Sequence, residues 1–214
     1  MRRFSVIAFG AVSIFAATAA VAKPAAYNST QNRDAAFLRI HGVTAPPHGF
    51  VEFCKRSPRD CMEGTRDEIS RPQHADTIAL VRRVNSEVNA AIAPATDLEL
   101  YGVSEFWTIP VKRGDCEDYA LLKRQRLIRA GVPSSALLMT VVLDEKGDGH
   151  AVLTVRTSEG DFILDNKTDT IKLWHETPYH FVMRQSYLSP KVWMSLDPAW
   201  AAPSVPVAGL DPSR

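Results

Sequence analysis

The chain predicts an α+β domain in which helices come first and an antiparallel run of strands follows. Three observations predict it. Apolar residues recur at helical spacing over residues 74–92, a second helix opens at Gly114-Asp115-Cys116-Glu117-Asp118, and three short apolar or β-branched runs follow it at 136–143, 150–155 and 161–165. At 214 residues, with 45% hydrophobic and 23% charged residues, the chain has the apolar content for one compact core. Its formal net charge is +1, and Lys and Arg are scattered among comparable numbers of Asp and Glu, so no basic face for nucleic acid is expected.

Taken in order, Arg2 and Arg3 precede an apolar, small-residue run over 4–19, and Ala20-Val21-Ala22 forms an A-x-A cleavage site. Residues 1–22 therefore read as a signal peptide for export to the periplasm, with an uncleaved anchor as the other reading of so long an apolar run. Residues 23–49, with Pro24, Pro46, Pro47 and Gly49, read as an extended lead-in to a domain spanning 50–197.

Three cysteines in an oxidising compartment leave one over. Cys54 and Cys61 enclose a short polar loop and are expected to pair; their gap is wider than the usual spacing of zinc ligand pairs. Cys116 is then a free thiol, which by itself is equally an inert core residue.

The helix at 74–92 carries Ile78, Val81, Val84, Val88 and Ile92 on one stripe and stops at Pro94. Residues 95–110 then read as a loop in which Phe106 and Trp107 either line a cleft or belong to the core. The next helix is expected to use Asp115 as N-cap with Asp118 as a box-like partner, and Gly131-Val132-Pro133 ends it. Cys116 sits in its first turn, where free N–H groups and the helix dipole favour a thiolate. Asp115, Glu117 and Asp118 oppose that effect, so an imidazolium or a bound cation is expected nearby.

The strand at 136–143 leads through a polar turn at 144–149 into a strand opened by His150. With a loop of Arg156-Thr157-Ser158-Glu159, Val155 pairs with Gly160, Leu153 with Phe162, Ala151 with Leu164, and His150 falls opposite Asp165. Asp165 would then fix the imidazole tautomer and leave the other nitrogen for the Cys116 proton, with the Cys116 backbone N–H as an oxyanion donor. His41, His48, His74, His175 and His180 show no metal-ligand spacing and read as surface or loop residues. Trp174, Trp193 and Trp200 read as packing for the C-terminal part, and 198–214 as a loosely ordered tail.

Gly-Asp-Cys-Glu-Asp-Tyr-Ala at 114–120, Gly-His-Ala-Val-Leu at 149–153 and Ile-Leu-Asp-Asn at 163–166 together resemble the bacterial transglutaminase-like cysteine proteinases, a family that includes the LapG-type periplasmic proteases. The resemblance covers roughly residues 50–186. It implies a papain-like, transglutaminase-like fold with the Cys helix packed on a sheet carrying His and Asp, and it implies that Cys116, His150 and Asp165 form a catalytic triad. It further implies calcium as cofactor, with Asp115 and Glu117 as ligands, although Asp115 as a helix cap alone fits the sequence as well. The implied partners are a protein substrate such as a surface adhesin and a membrane-associated regulator, with the protease itself a monomer. Two alternatives use the same residues: an amide-group transferase that resolves the acyl-enzyme with an amine, and a silent module that grips a peptide.

Overall fold

The computed structural model describes residues 35–62 and 70–201. The signal-peptide reading of 1–22 and most of the 198–214 tail lie outside them. Among the described residues no helix is long and apolar enough to cross a membrane.

Strand β1 (Gly42–Thr44) and helix α1 (His48–Arg56) come first, so the predicted lead-in supplies a strand and its two prolines introduce a helix. Helix α2 (His74–Ala91) matches its predicted stripe, with Val81, Val84 and Val88 facing the core and Ile92 closing the end. After it come β2 (Ala93–Pro94), α3 (Asp97–Tyr101) and β3 (Arg113–Gly114), and β2 and β3 pair in parallel. The region expected to be loop thus contains a helix. Thr96 accepts from the Glu99 N–H while the Glu99 carboxylate accepts from the Thr96 N–H, a capping box that stabilises even this short turn.

Helix α4 (Cys116–Arg129) is the central helix and packs on both α2 and the sheet. Strands β4 (Leu137–Leu143), β5 (Gly149–Arg156), β6 (Asp161–Leu164), β7 (Lys172–Leu173), β8 (His180–Gln185) and β9 (Trp193–Ser195) complete a seven-stranded sheet in the order β1-β9-β8-β4-β5-β6-β7, antiparallel throughout. The α+β expectation holds. Between the helices and the sheet lies the main core, in which the fully buried Trp193 stacks edge-on against Phe50 and near Trp107. Gly49 permits that approach, because a Cβ there would stand 2.4 Å from the Trp107 ring.

The β5–β6 register differs from expectation by two residues. Leu153 pairs with Leu164 and Val155 with Phe162, so His150 does not face Asp165 directly. The ladder closes at Arg156 and Asp161, so the loop is 157–160, four residues long as predicted but one residue further along the chain, and within it the Thr157 N–H donates to the Gly160 carbonyl at 2.9 Å. Because side chains alternate with period two, a two-residue shift keeps both residues on one face, and they meet diagonally.

Candidate active site

The start of α4 is set by Asp115, whose extended backbone (φ −106°, ψ −163°) precedes the first helical residue, Cys116. Asp115 occupies the N-cap position, but its carboxylate makes no capping bond, contrary to the capping expectation. One of its oxygens accepts from the Asp97 N–H at 3.3 Å, and Asp118 Oδ1 accepts from the Thr108 N–H at 2.8 Å. Both carboxylates turn toward 97–108, whose amides need acceptors. Burial raises the Asp118 carboxyl to about 8.

On the sheet side, His150 is the second residue of β5 and Asp165 follows β6 directly. Their side chains are almost fully buried and meet at 2.9 Å between Nε2 and Oδ1. Asp165 also accepts from the Tyr179 hydroxyl through Oδ2 and from the Lys167 N–H at 3.0 Å. Burial works to raise this carboxyl, but the bonds from His150, Tyr179 and Lys167 outweigh it and hold the group below the usual range. An ionised acceptor at Nε2 places the ring proton there and leaves Nδ1 for a second partner.

Cys116 is half-buried and the one cysteine outside a disulfide among the described residues. Its sulfur accepts from the Ala151 N–H at 3.3 Å, and its thiol donates to Glu117 Oε2 at 3.3 Å. Burial, and then the neighbouring Glu117 charge, push the thiol well above its ordinary range. Cys116, Glu117, His150 and Ala151 line one cavity of about 260 Å³, together with Trp107 and Pro47. The structure therefore brings the three motif residues to one place. A thiol and an imidazole lining one cavity, with the Nε2 of the imidazole tied to a carboxylate, form an arrangement that can pass the thiol proton to the ring.

Beside the thiol stands an acidic cluster. Ligand oxygens of Asp97, Asp115 and Glu117 lie within 4.8 Å of one another. Burial and the adjacent Asp115 raise the Glu117 carboxyl to about 10, and burial raises that of Asp97. One oxygen each of Asp97 and Asp115 is buried without a hydrogen-bond partner. Converging, poorly satisfied carboxylate oxygens fit a hard divalent cation. Asp115 and Glu117 were anticipated from sequence, whereas Asp97 was not; the Thr96-x-x-Glu99 capping signal was the clue that this stretch is ordered.

Cys54 and Cys61 form the expected disulfide. His41, His48, His175 and His180 are exposed, and His180 pairs with Asp197 at 2.7 Å; His74 opens α2 and stacks on Phe162. Of the tryptophans, Trp193 is core, Trp174 is half-buried and Trp200 is largely exposed; Trp107 is both core and cavity wall. Tyr179, Asn89 and Lys123, which surround Asp165, were not anticipated. No local pattern marks them, since each reaches Asp165 only through the tertiary fold.

A sequence model of the family described as bacterial transglutaminase-like cysteine proteinase BTLCP matches residues 40–200. Among solved structures, calcium-bound LapG of Legionella pneumophila is 25% identical, with a TM-score of 0.49 over 61% of this chain and 75% of that one. EGTA-treated LapG from the same organism is 28% identical, with a TM-score of 0.47 over 55% and 67%. No match was found among curated proteins.

Proposed function

The chain belongs to the bacterial transglutaminase-like cysteine proteinases, and from that premise we propose that it is an exported endopeptidase using Cys116 as nucleophile, His150 as base and Asp165 as the residue that orients the base. The observation that carries this reading is the Nε2–Oδ1 bond of His150 and Asp165 at the wall of the cavity that holds the Cys116 sulfur. In the proposed cycle His150 Nδ1 takes the thiol proton as sulfur attacks the scissile carbonyl carbon. The oxyanion faces the N–H groups of the first turn of α4, and Nδ1 returns the proton to the departing amine. Water then attacks the thioester with Nδ1 again as base, releasing the acid and restoring the thiol. The Ala151 N–H aimed at the sulfur favours the thiolate form.

Asp97, Asp115 and Glu117 would hold calcium, with backbone oxygens and water completing its shell. Bound there, the ion would supply positive charge to the carboxylates that now oppose thiolate formation. We assign the catalytic domain to 50–197 together with β1 of the lead-in, which supplies the edge strand of its sheet, with 1–22 removed on export to the periplasm. The substrate class this suggests is an extracytoplasmic protein such as a surface adhesin, under the control of a membrane-associated regulator.

The test is alkylation of the purified protein with iodoacetamide, located by peptide mapping, for wild type, His150→Ala and a chelated sample. The expected result is selective modification of Cys116 that falls by at least about tenfold in His150→Ala, the range of a lost acid–base partner. Restoration by added calcium of a rate lost on chelation supports the metal assignment. Equal, slow labelling in all three samples overturns the catalytic reading.

A further inference from the structure

Asp165 is held from several sides, and the most direct hold comes from a residue outside the three motifs. Tyr179, just before β8, donates its hydroxyl to Asp165 Oδ2, the oxygen that His150 does not use. The same side chain lays its ring edge-on to the imidazole, with centroids 5.5 Å apart and planes at 66°. One residue therefore touches both members of the base pair. Burial and the bond to Asp165 hold the Tyr179 phenol above its ordinary range, so it acts as a donor throughout the physiological range.

We infer that Tyr179 is a positioning residue of the proposed triad: its hydroxyl fixes the Asp165 carboxylate in the rotamer that presents Oδ1 to His150, and its ring limits rotation of the imidazole. This inference rests on the triad reading. A carboxylate has two oxygens and a terminal torsion that is broad and roughly two-fold, so a single bond from His150 leaves it free to rock. Tyr179 at Oδ2 and the Lys167 N–H at Oδ1 close that freedom. The carboxylate's backbone is anchored too, because Asn89 Nδ2 of α2 donates to the Asp165 carbonyl at 3.0 Å.

The charged groups around this pair do not substitute for the hydroxyl. Lys123 of α4 acts on Asp165 and Asp169 through its charge, and no hydrogen bond joins Lys123 to Asp165. Lys167 spends its ammonium on Asp144 at 2.7 Å. Asp144 and Glu145, in the β4–β5 turn, act on the phenol from the solvent side. Tyr179 also lines a second cavity of about 210 Å³, shared with Asp165 and Lys167, so water has a route to Oδ2 once the hydroxyl is removed.

The test compares wild type, Tyr179→Phe and His150→Ala by two readouts: the iodoacetamide alkylation rate of Cys116, and the ¹H–¹⁵N resonance of the His150 Nε2–H in protein labelled at histidine. Tyr179→Phe keeps the ring and loses only the hydroxyl. The expected result is an unchanged fold by near-ultraviolet circular dichroism, an alkylation rate reduced about tenfold to a hundredfold, and Nε2–H exchange with water faster by at least about tenfold, as for a lost hydrogen bond to a charged group. A Tyr179→Phe protein that matches wild type in both readouts, while His150→Ala loses alkylation, overturns this inference and leaves the triad standing. Equal alkylation in wild type and His150→Ala overturns the triad itself. Should Tyr179→Phe not fold, the wild-type Tyr179 hydroxyl proton is sought directly. A slowly exchanging signal that disappears in Asp165→Asn supports the inference, and no such signal overturns it.

Discussion

In the absence of metal, the stability of this protein should fall steeply with rising pH. Glu117 and Asp118 are buried carboxyls raised to about 10 and about 8, from unfolded values near 4. Between about pH 5 and about 7 both are protonated in the metal-free fold and ionised in the unfolded chain, so folding takes up a proton at each. Such groups contribute most stability below their unfolded values and lose it as pH rises toward the folded ones. Each costs about 1.4 kcal/mol per pH unit, so the two give a slope of ~1.4–2.7 kcal/mol per unit, the lower end allowing for the interaction of Glu117 with its neighbour Asp115. Asp97 and Glu105, also raised by burial, act in the same direction. Asp165 and Asp144 are held below their ordinary values, so their contribution is complete above about pH 5 and adds no slope in this window. Lys123, lowered to about 7 by burial, opposes the trend only above that pH. At roughly 2–4 °C per kcal/mol for a domain of this size, the melting temperature should drop by about 3–10 °C per pH unit. Thermal melts in chelator across this window measure it, and saturating calcium should remove the Glu117 share. A metal-free protein as stable at pH 7 as at pH 5, or an identical slope with and without calcium, would refute the reasoning.

Other parts of the structure give independent expectations. Trp193→Ala empties a site that is 0% exposed and packed against Phe50 and Trp107, and should cost about 3–5 kcal/mol in urea unfolding. Arg184→Leu removes the ion-pair partner of buried Asp161, at 2.9 Å, and leaves it the Leu38 N–H and the more distant charge of Arg156; a loss of about 3 kcal/mol is expected, much of it recovered when Asp161→Asn is added. Replacing both Cys54 and Cys61 by Ser opens a bridge only seven residues apart in sequence, and should lower stability by about 2 kcal/mol without changing the Cys116 alkylation rate.

The sequence made the site legible wherever chemistry and local pattern coincide. Cys116 stands at a helix start whose Asp and downstream Gly-x-Pro are strong local signals, and His150 and Asp165 sit beside apolar runs that read as strands. The hairpin between them was placed on the correct face with the register off by two, because face depends on parity and register depends on the turn. The third acidic residue was not legible. Asp97 lies 18 residues before Asp115, and only the β2–β3 pairing returns it to the thiol. Strands β1 and β9 are not legible for a related reason: they are three-residue segments whose strand character comes from their neighbours.

The sheet pairs its first strand with its last, Gly42 with Ser195 and Thr44 with Trp193. Ala45, Pro46 and Pro47, which continue directly from β1, form one wall of the cavity at Cys116. Cys116, His150 and Asp165 all precede β9 in the chain, yet β1, the strand that leads into this wall, finds its pairing partner only in that last strand. A chain that ends short of Trp193 lacks both the strand that β1 pairs with and the largest fully buried side chain, so one wall of the cavity depends on the last strand of the sheet.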